Sequence, residues 1–350
     1  MLASLALAPL AASRGGSQPL TELSAGDTAS FFPSDERNIW MFWDGTEQPS
    51  IKAFSIGMWE AFHPTWTVRV LNSTTTHEYG FPWNTTSSVD LGIAGKTDFL
   101  RMTMLFQHGG IWADVDCVPV GNVEQQHMPL LQRYGYVVPE ANSSDVHYKD
   151  RQIMSWFLMA RKGNPMVGQW LDHADEYLFR PRAVPLTQMA EDQEDANGNS
   201  YSMTQAFGNA SVAAVLGVDV SDVGPEITAR AALDELERRD RWPYFWAFYL
   251  FTQTMSDAPE LNATWVEARS DSATWLETRV VTKLNRRYEC WKLVASPLEQ
   301  MLADYTRGNW TAERAGRVLR KEVEGPHVKC VRAAKNISGP TDSLSVYDDF

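Results

Sequence analysis

Apolar residues fall into short runs and helical stripes that take turns along the chain. Residues 38–43 (NIWMFW) form a continuous apolar run stopped by Asp44-Gly45, the pattern of a buried strand ending in a turn. Pro49 opens a stretch to about Phe62 in which Ile51, Phe54, Ile56, Met58, Trp59 and Phe62 give a roughly helical apolar face. Residues 66–72 (WTVRVLN) alternate as a second strand, and a helix over about residues 96–108 leads into a strand over residues 111–115. Gly109-Gly110 lies between these two, where a helix needs a left-handed cap and a tight return. Strand, helix and strand in repetition predict an α/β sandwich with a mostly parallel sheet.

Further on, residues 134–139 and 153–160 read as strands, and helical patterns dominate residues 165–178, 203–216, 226–239 and 312–324. Residues 181–200 contain proline, then acidic, Gly and Asn residues, and read as an exposed loop. Residues 1–37 are a signal-like, flexible lead-in; 38–240 form the core; 241–350 are a helical C-terminal extension completing the same domain.

Composition narrows the partners. With 350 residues, 44% of them apolar, the chain can bury a sizeable core. A net charge of −13 and a pI near 5.0 oppose contact with a phosphate backbone or an anionic membrane, which argues against nucleic acid. No run approaches the roughly 18 apolar residues of a spanning helix, so membrane attachment would need an N-terminal anchor. Residues 1–12 (MLASLALAPLAA) have the length of a signal peptide but carry no basic start.

Asn-x-Ser/Thr triplets begin at Asn72, Asn84, Asn142, Asn209, Asn262, Asn309 and Asn336, seven of thirteen asparagines. Chance would give roughly two, so the excess points to an N-glycosylated chain of the secretory pathway. The cysteines, at 117, 290 and 330, match no zinc spacing; Cys290 could bridge Cys330, leaving Cys117 as a buried thiol.

The chemistry concentrates in residues 95–119, GKTDFLRMTMLFQHGGIWADVDCVP. Asp114 and Asp116, two apart at a strand end, would place both carboxylates on one face, a hard-oxygen set suited to Mn²⁺ or Mg²⁺. Such a pair is common by chance among 23 aspartates, so its context decides. Asp98 and Arg101 share a helix face three residues apart, either as a surface salt bridge or as a site in which Arg101 meets phosphate or orients Asp98. Trp43 is either a core aromatic or a stacking platform.

Taken together, the strand ending in FWDG, the T-D-F-L-R helix and H-G-G-I-W-A-D-V-D resemble the glycosyltransferases of family 32. These include relatives of fungal Golgi α-1,6-mannosyltransferases and capsular-polysaccharide enzymes. RQIMSWFLMARKGNP (residues 151–165) and VGPEIT (residues 223–228) extend the likeness, which covers roughly residues 38–240. Val223 stands where relatives commonly have Thr, and Ser155 precedes Trp156 where they often carry an amide side chain.

The resemblance implies a GT-A-like fold, a nucleotide-sugar donor, a divalent metal, retention of anomeric configuration and a place in the Golgi lumen. Trp43 would stack on the donor base, Asp98 and Arg101 would contact the donor, and Asp114 and Asp116 would handle ribose and metal. Arg101, Asp114 and Asp116 would be the catalytic set, and His327 in GPHVKC could complete the metal shell. GDP-mannose is the favoured donor, with a UDP-hexose open, and the acceptor would be a glycan or glycolipid. The alternative is a carbohydrate-binding protein that has kept the fold without turnover.

Overall fold

The computed structural model describes residues 30–45, 50–85, 87–115, 117–119, 121–139, 153–188, 192–194, 200–202, 225–243, 246–271 and 281–283. The chain divides into two units, Met1–Ser30 and Phe31–Phe350, and every element below belongs to the second.

The first half runs β1 (Asn38–Phe42), α1 (Ser50–Phe62), β2 (Thr67–Leu71), α2 (Ile93–His108), β3 (Gly110–Ala113), β4 (Cys117–Pro119), α3 (Val123–Gln126), α4 (Met128–Tyr134), β5 (Tyr136–Val137), β6 (Phe157–Ala160) and α5 (Pro165–Phe179). There follow β7 (Thr187–Gln188), β8 (Asp192–Glu194), β9 (Ser200–Ser202), α6 (Pro225–Arg238), β10 (Arg241–Trp242), α7 (Trp246–Asp257), α8 (Pro259–Asp271) and β11 (Val281–Lys283).

Five strands make the central sheet in the order β2-β1-β3-β6-β5. β1 is parallel to β2 and β3, β6 is antiparallel to β3, and β5 is antiparallel to β6. Four strands therefore point one way and β6 alone is reversed, the mostly parallel α/β sheet expected from the sequence.

The sheet is covered on both sides, which is why β1 reads as an unbroken apolar run. Ile39, Met41, Ile111, Ala113, Phe157 and Met159 enter one core with Trp59 of α1. Their neighbours Trp40, Phe42, Trp112, Leu158 and Ala160 enter the other, with residues of α2, α5 and α7. The period of two along each strand sorts the side chains between these layers.

The turn from α2 into β3 depends on two glycines in left-handed backbone, Gly109 (φ +70°) and Gly110 (φ +103°). A Cβ on Gly110 would lie 2.3 Å from the Asn38 carbonyl oxygen, so only glycine lets β3 pack against β1 there.

Four expectations change. The packed chain starts at Phe31, ahead of the Asn38 start, because Phe32 is fully buried and its N–H donates to Glu124 Oε1 at 3.1 Å. The strand expected to reach Val115 ends at Ala113. Residues 181–200 are not simply an exposed loop: Leu186 is buried and bridges Val89, β7 pairs with β10, and β8 pairs with β9. Two short helices, α3 and α4, fall between the expected elements. The helices expected over residues 203–216 and 312–324, and Cys290 and Cys330, lie outside the described residues; the Cys117 thiol is buried, as expected, and donates to the Trp156 carbonyl. Among the described residues, no helix is long and apolar enough to cross a membrane.

Candidate active site

The chain leaves β1 through α1 to β2 on one side, then returns through α2 to β3 on the other side of β1. Such a reversal opens a crevice beyond the carboxyl ends of the two central strands, where open α/β sheets bind ligands. Trp43 is the first residue beyond β1 and Asp114 the first beyond β3.

One guanidinium organises the site. Arg101 Nη2 lies 3.2 Å from Asp98 Oδ1 and 3.7 Å from Asp114 Oδ1. Its Nη1 donates to the Ser155 carbonyl at 2.6 Å and to the Ser155 hydroxyl, and its plane lies over the Trp112 ring at 5.3 Å. Trp112 Nε1 in turn donates to Asp114 Oδ1 at 3.2 Å. Asp98 and Arg101 are buried, 8% and 6% exposed, which excludes the solvated surface salt bridge weighed above. A planar fork with several donors can hold two carboxylates and a carbonyl at once, and a lysine cannot.

Val115, after Asp114, lies in a turn. The Cys117 N–H donates to the Asp114 carbonyl at 2.8 Å. The strand period stops at Ala113, so Asp114 lies just beyond it, and the expected shared face with Asp116 falls on a residue outside the described ones. The turn is clamped from two sides. The Asp114 N–H donates to the Trp156 carbonyl at 2.8 Å, and Ser55 Oγ and Trp59 Nε1 of α1 donate to the Cys117 carbonyl at 2.7 and 2.9 Å.

A buried histidine fixes the segment that follows. The His63 ring accepts the Val123 N–H through Nε2 at 3.0 Å and lies 3.3 Å from the Trp59 carbonyl through Nδ1. The Val123 donor requires an unprotonated Nε2, so the ring is neutral with its proton on Nδ1. Burial pushes its pKa down to about 3, and that of His127 to about 4.

Asp98, Arg101 and Asp114 are thus brought together. Trp43 stands half-buried at the same end of the sheet, its N–H donating to the Leu71 carbonyl at 2.8 Å. Asp116 and His327 lie outside the described residues. Among the described residues, no group of three or more His, Cys, Asp or Glu could hold a metal ion. Sequence reasoning assigned no role to Trp112, Ser55 or Trp59. It marked Ser155 only as a departure from relatives, yet that residue meets Arg101 directly.

A family model described as capsular polysaccharide synthesis protein matches residues 22–185, the stretch that contains Asp98, Arg101, Asp114 and Ser155. Among curated proteins, the chain is similar to HOC1 of Saccharomyces cerevisiae, whose name places it provisionally among the glycosyltransferases. That match is 25% identical over 45% of this chain and 42% of the relative. It is also similar to glycosyltransferase afumC of Aspergillus fumigatus, 31% identical over 39% of each chain. O-glycosyltransferase braB of Annulohypoxylon truncatum matches at 24% over 40% of this chain and 37% of its own. The chain spans about two fifths of the length of these relatives. A solved structure, PaToxG Glycosyltransferase, aligns over 83% of this chain and 85% of its own at 14% identity and a TM-score of 0.32. The resemblance to glycosyltransferases of family 32 and of capsule synthesis read from the sequence therefore holds.

Proposed function

We propose that this chain is a glycosyltransferase that takes a hexose from a nucleotide-sugar donor bound in the crevice beyond β1 and β3. The observation that supports the reading is the buried convergence of Asp98, Arg101 and Asp114 on that crevice, inside the stretch matched by the capsular-polysaccharide family. Arg101 sets both carboxylates: it holds Asp98 toward the sugar hydroxyls and Asp114 toward the ribose, and it presents positive charge to the diphosphate. Trp43, at the end of β1, stacks on the base.

Mn²⁺ or Mg²⁺ belongs with Asp116, with Asp114 and His327 as further ligands, and when bound it would offset charge on the departing diphosphate. Asp114 fits a shared role, since its Oδ1 already faces Arg101 and Trp112. Retention of configuration, a GDP-mannose donor with a UDP-hexose as second choice, and a glycan or glycolipid acceptor complete the reading. The seven Asn-x-Ser/Thr triplets support a lumenal location in the secretory pathway, of which Asn84 is exposed in its turn.

The test is release of nucleoside diphosphate from a panel of GDP- and UDP-sugars with Mn²⁺. Slow hydrolysis of one donor, lost with EDTA and in Asp116→Ala, is the expected result. Neither hydrolysis nor binding of any donor, with candidate acceptors present, would overturn the transferase reading in favour of a non-catalytic carbohydrate-binding protein.

A further inference from the structure

A guanidinium has five N–H donors, and at Arg101 the protein engages them all. Nε donates to the Thr97 carbonyl at 3.4 Å, Nη1 to the Ser155 carbonyl at 2.6 Å and to the Ser155 hydroxyl, and Nη2 to Asp98 Oδ1 at 3.2 Å. The remaining Nη2 proton faces Asp114 Oδ1 at 3.7 Å. A neutral ligand oxygen would have to displace a protein acceptor to gain a hydrogen bond from this fork. Arg101 therefore acts on the donor through its charge and through the groups it holds.

Of those groups, Ser155 keeps a proton to give. A hydroxyl has one donor and two lone pairs, and Arg101 occupies a lone pair. Among the described residues, no acceptor takes the Ser155 proton. The guanidinium repels that proton, so the O–H turns away from Arg101. Ser155 lies two residues before Phe157, which opens β6 and pairs with Ala113, so it stands beyond the carboxyl end of β3 beside Asp114. It keeps 7% exposure, close to the 8% of Asp98, whereas Ser55, which holds the Cys117 carbonyl from α1, is at 0%.

The neighbours define what Ser155 can meet. Ser155 and Asp98 are held by the two terminal nitrogens of one guanidinium, which sets a donor beside an acceptor. A phosphate oxygen only accepts, and it would face the charges of Asp98 and Asp114. A sugar hydroxyl both donates and accepts, so it can give its proton to Asp98 and take that of Ser155.

We propose that Ser155 Oγ donates a hydrogen bond to a hydroxyl of the transferred hexose. This rests on the nucleotide-sugar reading of the crevice, and it adds that Ser155 reads the sugar and not the nucleotide.

Calorimetric titration with Mn²⁺ of GDP against GDP-mannose, and of UDP against UDP-glucose and UDP-galactose, into wild type and Ser155→Ala tests it. Alanine keeps the main-chain carbonyl that Arg101 holds, so the fork and its two carboxylates stay in place. For the nucleotide that binds, affinity for its sugar-bearing form is expected to fall about 10-fold in Ser155→Ala, while affinity for the sugar-free form stays within about twofold. If Ser155 served only to fix Arg101, both forms would weaken alike, and that result overturns the proposal. Equal affinity of the two proteins for the nucleotide-sugar overturns it as well, and either outcome leaves the nucleotide in the crevice. Failure of every one of these ligands to bind wild type would instead remove the donor-site reading and this proposal together.

Discussion

The two ends of the central sheet each carry a carboxylate–arginine contact, and they differ in how completely the charges are matched. At the amino end of β1, Glu36 takes Arg161 Nε at 2.8 Å, Arg161 Nη2 at 3.3 Å and the Lys162 N–H at 3.0 Å. One carboxylate is gripped by a fork and a main-chain donor, and the result is a staple between β1 and β6. At the carboxyl end, one guanidinium serves two carboxylates, and the Asp114 contact, at 3.7 Å, is longer than a hydrogen bond. The same two functional groups make a closed fastening in one place and an adjustable, net-acidic cluster in the other. A site that must admit a ligand or a cation needs the second arrangement.

Substitutions separate the two ends. The largest effect is expected at the crevice: Asp114→Asn should lower donor hydrolysis at least about 100-fold with little change in Tm, since Asn can still accept from Trp112 Nε1 and Asp98 still balances Arg101. Arg101→Lys should cost about 10- to 100-fold in kcat, because a single ammonium cannot reach Asp98, Asp114 and Ser155 together. The opposite signature belongs to Glu36→Gln: about 2 kcal/mol less stable by urea titration, discounted for the partial exposure of Arg161, with activity per folded molecule unchanged.

Smaller effects sharpen the picture. Ser55→Ala removes one of two donors to the Cys117 carbonyl and should weaken Mn²⁺ binding about 10-fold through the loosened turn, at a cost of about 1 kcal/mol in stability. The buried histidines predict an acid-side loss of stability. Their pKa values in the fold lie below the ordinary 6.5, so the unfolded chain binds more protons as pH falls. Stability should be full above pH 6.5 and fall toward pH 4, by about 1.4 kcal/mol per histidine at pH 5.5. Denaturant titrations at pH 7.5 and 5.5 would check this, and His63→Gln should flatten the difference.

Much of this was legible in the chain itself. The unbroken run of β1, the stripe of α1 and the paired glycines at 109 and 110 each name their element, because burial on both faces, a helical period and positive φ leave marks on residue type. Asp98, Arg101 and Asp114 were readable for the same reason: their chemistry lies in their side chains. What sequence could not supply is the scaffold of main-chain acceptors. Arg101 rests on the Ser155 carbonyl and the 114–117 turn hangs from those of Trp156 and Cys117, and every residue has a carbonyl. The strand's end at Ala113 was hidden too, since Val115 and Cys117 continue the apolar alternation into a turn closed by backbone bonding. The one to two turns of α3 and α4 are too short to show a period.

The central claim, that the Arg101 cluster forms the donor site, is tested most directly by calorimetric titration of GDP and UDP into the protein with Mn²⁺. The account predicts saturable binding of one nucleotide, weakened at least about 10-fold in Arg101→Lys and unchanged in Glu36→Gln. Equal affinity in wild type and Arg101→Lys would place the nucleotide elsewhere and contradict it.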